Sequence, residues 1–111
     1  MKKMMLTAIA LVFFLGSFAH APSSVKISYD KSEKVLKIEA IHKVKNVESH
    51  YINIITIWVN DVEKESFQPS KQTNSEKHVL DYPITLNKGD VVKVMANCNK
   101  MGRRTASITI K

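Results

Sequence analysis

The chain has 111 residues, 17 Lys and Arg against 10 Asp and Glu, a net charge of +7 and a single cysteine, Cys98. That length confines it to one domain, and one cysteine excludes an internal disulfide framework. The basic excess is spread along the chain rather than gathered on an aromatic-studded stripe, which argues against a nucleic-acid partner and leaves a solvated surface that attracts small anions.

Residues 1 to 19, "MKKMMLTAIALVFFLGSFA", have the layout of a secretory signal peptide. Lys2 and Lys3 open it, an apolar run follows from Met4 to Leu15, and small residues stand at 17 and 19. The run falls short of the roughly 20 residues a spanning helix needs. The reading is therefore a removed leader, with no stable membrane insertion afterwards. Cleavage after Ala19 makes His20 the first mature residue, and cleavage after Ala21 is the alternative. The expected organisation is a leader over 1–19 and one domain over 20–111, exported to a periplasmic or extracellular location. An unpaired thiol in an oxidising compartment is buried, pairs between chains as a homo-oligomer, or binds something.

"VKISYD" (25–30) alternates, with Val25, Ile27 and Tyr29 on one side. This predicts a half-buried strand. "KSEK" turns the chain, and "VLKIEAIH" (35–42) continues with Leu36, Ile38, Ala40 and His42 sharing the inward parity. A polar loop covers 43–49. "HYINIITIWVN" (50–60) is apolar on both parities, which predicts a central strand covered on both faces. Asn60-Asp61 reads as a turn, and "VEKESFQ" (62–68) as a charged edge strand. After a loop over 69–77 comes "HVLDYPI" (78–84), where Pro83 requires an edge or a strand end. "NKGD" (87–90) is a turn. "VVKVMANC" (91–98) puts Val92, Val94, Ala96 and Cys98 on one face, and "TASITIK" (105–111) alternates again. About seven short strands with regular turns and no helical periodicity beyond the leader predict an all-β, immunoglobulin-like antiparallel sandwich.

His20, His42, His50 and Cys98 are the candidates for chemistry. A hairpin that ends at His42 and resumes at His50 brings two imidazoles to one rim. Imidazole together with thiolate suits iron, copper or zinc. Each also has a plainer reading: a solvated histidine beside a loop, or a cysteine acting as a small buried hydrophobe. His78 reads as a surface histidine.

"HYI" at 50–52, "CN" at 98–99 and Gly102, set on this strand pattern, resemble the iron-binding domain of desulfoferrodoxin and superoxide reductase. The resemblance spans most of residues 20–111, but its specific part is about ten positions. It implies a non-haem iron held by histidines with an axial cysteine, reducing superoxide to peroxide at an open position and resupplied by an electron donor protein. His20 in His20-Ala21-Pro22, His50 and Cys98 fall on ligand positions of that family. The remaining early ligand position falls on Val44, with His42 two residues before it. The last histidine ligand is replaced by Met101. The family's Glu-Lys before the first histidine is absent, and Arg103 and Arg104 are candidates to replace that lysine in drawing in the anion. A Met beside two His and one Cys also fits a copper electron carrier, the alternative metal reading. A third is a non-catalytic binding module on the same fold.

Overall fold

The computed structural model describes residues 21–111, so the leader and His20 lie outside the described residues. Seven antiparallel strands follow one another: β1 (Ser24–Asp30), β2 (Val35–Ile41), β3 (Ile52–Val59), β4 (Val62–Phe67), β5 (Lys77–Pro83), β6 (Val91–Cys98) and β7 (Arg103–Thr109). They form a three-stranded sheet in the order β1-β2-β5 and a four-stranded sheet in the order β4-β3-β6-β7. The sheets face each other across one core, with β1 packed against β6 and β7.

Alternation explains the layering. Leu36, Ile38 and Ala40 of β2 are wholly buried, and so are Val92, Val94 and Ala96 of β6. Their sequence neighbours point to solvent or lie half-covered. At about 25 cal/mol per Å² of apolar surface removed from water, this shared core is the main favourable contribution to folding. β3 is central, as its apolar character predicts, but among the described residues no second layer covers its outer face. A bulge between Ile52 and Ile54 shifts the parity, so Ile52, Ile55, Ile57 and Val59 all turn inward. Ile54 and Trp58 remain on the outer face, half-buried. Lys93 Nζ sits 4.7 Å from the centre of the Trp58 ring. The run is apolar on both parities partly because of this bulge.

The turns follow their residues. Asn60 and Asp61, at φ 50° and 66°, form the tight connection between β3 and β4 that a primed turn requires. β4 is an exposed, charged edge, and Pro83 closes edge strand β5. Asp30 Oδ1 accepts the backbone N–H groups of Ser32 and Glu33 at the β1–β2 turn. Asp90 accepts the Asn87 N–H and the Asn60 amide ahead of β6. The Glu33 N–H chiefly holds the Asp30 carboxyl below its ordinary range, and the Asn87 N–H does the same for Asp90. Each group binds its proton more weakly folded than unfolded. Its stabilisation is therefore full above about pH 4 and is lost as pH falls through the lowered value. The urea midpoint is expected to drop in that acid window, and Asp90→Asn is expected to flatten the drop. A pH series of urea melts on both proteins checks this.

Candidate metal centre

Three of the candidate residues meet at one end of the sandwich. β2 delivers His42 immediately after its last residue, and the His42 N–H donates to the Glu76 carbonyl at 2.9 Å. A loop then crosses to β3 and carries His50 two residues before Ile52, where its N–H donates to the Asn46 carbonyl at 3.0 Å. Ile52 is the register partner of Cys98, the last residue of β6. That pairing fixes His50 beside the thiol: its Nε2 lies 3.2 Å from Cys98 Sγ. The His42 and His50 rings meet edge to face with centroids 4.8 Å apart. One nitrogen of each histidine and the Cys98 sulfur all lie within 4.8 Å of one another. His42 and Cys98 are each only 3% exposed.

Asn99 locks this arrangement. Its Oδ1 accepts the Tyr51 N–H at 2.9 Å, its Nδ2 donates to the Ser49 carbonyl at 3.1 Å, and its own N–H donates to the Tyr51 carbonyl at 3.0 Å. The residues on either side of His50 are thus tied to the residue after Cys98. The Lys100 N–H points at Cys98 Sγ at 3.4 Å. The Cys98 N–H donates to the Gly102 carbonyl at 2.9 Å and closes the turn between β6 and β7.

Gly102 has two reasons to be glycine. Its φ is +94°, and a Cβ there would stand 2.8 Å from the Ala21 Cβ. Pro22 is fully buried, and Arg104 Nε donates to its carbonyl at 2.6 Å. Ala21 and Pro22 therefore lie against the turn that follows Cys98 and the start of β7. Arg104 is occupied in holding that segment. Arg103 pairs with Asn97 rather than Ala96, so the two arginines alternate across the sheet. Met101 is 55% exposed in the same turn. His78 stands apart on β5, where its Nδ1 meets the Thr73 N–H at 3.2 Å and burial lowers its pKa.

Gln72 escapes sequence reasoning. It sits in the polar loop before β5, yet it is 2% exposed. Its Oε1 lies 2.8 Å from His42 Nδ1 and accepts the Ile52 N–H at 3.3 Å. Its Nε2 donates to the carbonyls of His42 at 2.7 Å and Asn74 at 2.9 Å. Nothing local in "PSKQTNSEK" separates Gln72 from its solvated neighbours.

The donor set fits a transition metal. With bond lengths of about 2.1 Å to nitrogen and about 2.3 Å to sulfur, a shared ion separates N and S by roughly 3.1 Å at a right angle and roughly 3.6 Å at a tetrahedral angle. The separation of 3.2 Å between His50 and Cys98 matches the first. The three donors lie within 4.8 Å of one another, so to share one ion at either of these angles the widest pair must close by up to roughly 1.2–1.7 Å. Cysteine and histidine bind a metal as thiolate and neutral imidazole, so any such binding weakens at low pH. No protein-family model and no curated protein matches this chain.

Proposed function

We propose that this protein is an exported non-haem iron protein of the superoxide-reductase kind, with His42, His50 and Cys98 holding the metal. The observation that carries the reading is the meeting of two imidazoles and one thiol, with His42 and Cys98 buried, His50 half-buried and His50 Nε2 3.2 Å from the sulfur. The strand orders β1-β2-β5 and β4-β3-β6-β7 support placing the fold among immunoglobulin-like sandwiches. His20 joins the proposal as a further donor because the next residue, Ala21, packs on Gly102 in the turn after Cys98.

When bound, ferrous iron supplies the one electron that, with two protons, converts superoxide to hydrogen peroxide. Cys98 contributes a thiolate that raises electron density at the site, and burial keeps it from cross-linking. His42 and His50 bind as neutral imidazoles. Three donors from the described residues leave positions for a small anion, and Arg103 and Arg104 add positive charge along the adjoining strand. A donor protein restores the electron.

Rapid mixing of the iron-loaded, reduced protein with superoxide tests this. The expected result is one iron oxidised and one peroxide formed for each superoxide consumed. Iron that stays reduced would confine the protein to binding or electron transfer. The His₂Cys set also favours copper as a second reading, since that set with a weak Met ligand forms electron-transfer copper sites. Selective retention of copper over iron would promote it.

A further inference from the structure

We infer that Gln72 is a positioning residue that fixes His42 in its Nδ1–H tautomer and so leaves Nε2 as the atom His42 offers a metal. This rests on the reading of His42 as a ligand, but the tautomer is argued from hydrogen bonds alone. The orientation of the Gln72 amide is set by backbone groups whose polarity is unambiguous. The carbonyls of His42 and Asn74 can only accept, so both must face the Gln72 NH₂. The Ile52 N–H can only donate, so it must face Oε1. Turning the amide over would set two carbonyls against an oxygen and an N–H against an NH₂. Oε1 therefore faces His42 Nδ1 at 2.8 Å as an acceptor, and the ring nitrogen must donate. In a neutral imidazole the other nitrogen then carries the lone pair.

The same amide also spans the site. It reaches the chain on both sides of the metal-site loop, at His42 and at Ile52, and its backbone N–H donates to the Val47 carbonyl at 3.1 Å. His42 is thus oriented by a residue 30 positions away that is itself held by backbone groups of Val47, Ile52 and Asn74. A hydrogen bond to the far nitrogen both aims a ligating imidazole and raises its basicity. Losing such a partner typically lowers metal affinity about 10–100-fold.

The test has two independent readouts. In metal-free protein with ¹⁵N-labelled histidine, His42 is expected to show a protonated Nδ1 and an unprotonated Nε2 at neutral pH. Gln72→Met keeps the side-chain length and removes all four amide contacts, and it is expected to mix the tautomers. In titrations with Co(II), whose thiolate absorption reports the site, the variant is expected to bind about 10–100-fold more weakly than the parent. An Nε2–H tautomer in the unaltered protein would overturn the proposal whether or not Gln72→Met folds. The expected tautomer with equal Co(II) affinity in the variant would overturn the positioning role and leave the ligand reading intact. A failure of the unaltered protein to bind Co(II), with the tautomer as expected, would overturn the ligand reading and with it any role of Gln72 toward a metal.

Discussion

Cys98→Ser is expected to fold much as the parent does and to lose its metal. The substitution exchanges one atom in a side chain that is 3% exposed, and a hydroxyl can still meet His50 Nε2 and the Lys100 N–H. Metal-free stability should therefore change by about 1 kcal/mol or less. Affinity should change far more, because a neutral hydroxyl replaces a soft, charged donor. A loss greater than the roughly 100-fold seen for residues outside the ligand set is expected, together with the disappearance of thiolate-to-metal absorption. Metal analysis, visible spectra and a metal-free thermal melt on the same preparations check all three. Retained metal with unchanged absorption would remove Cys98 from the site.

Ile57→Ala is expected to do the reverse. Ile57 is wholly buried in the middle of β3, between Val94 of β6 and Glu65 of β4, and five residues along the strand from Ile52 at the site end. Truncation leaves a cavity in the core that both sheets share, and the loss should be about 2–5 kcal/mol. That is a large part of the roughly 5–15 kcal/mol that holds an ordinary domain together. Where the variant stays folded, its metal stoichiometry should match the parent, because Ile57 lies five residues along β3 from Ile52 at the site end. Urea midpoints and metal content, both measured in the cold, separate the two effects. Cys98→Ser and Ile57→Ala thus divide the protein into chemistry and scaffold.

The strands were legible because most of them are half-buried and carry the mark of it. Val25, Ile27 and Tyr29 alternate with Lys26 and Ser28, and β1 lies where that alternation runs. β3 was harder to read: its bulge places Ile52 and Ile55 on one face although their parities differ. Alternation says nothing about which strands become neighbours, so the pairing of Ile52 with Cys98 could not be read from pattern. That pairing is what sets His50 beside the thiol. The family resemblance puts an early ligand position at Val44, but strand parity and the hairpin already point to His42, and it is His42 that reaches His50. Gln72 gave no local signal, because its burial comes from the loop between β2 and β3 folding over it. Arg104 was legible as a charge but not as the residue that holds Pro22, a contact across 82 positions of sequence.

The most direct measurement is the metal content per chain of protein purified anaerobically from its own compartment, with the amino-terminal mass taken from the same sample. Near one iron per chain is predicted, with His20 as the first residue. A chain that carries no metal and takes up neither Fe(II) nor Cu(I) on reconstitution would contradict the metal centre, and the meeting of His42, His50 and Cys98 would then be packing alone.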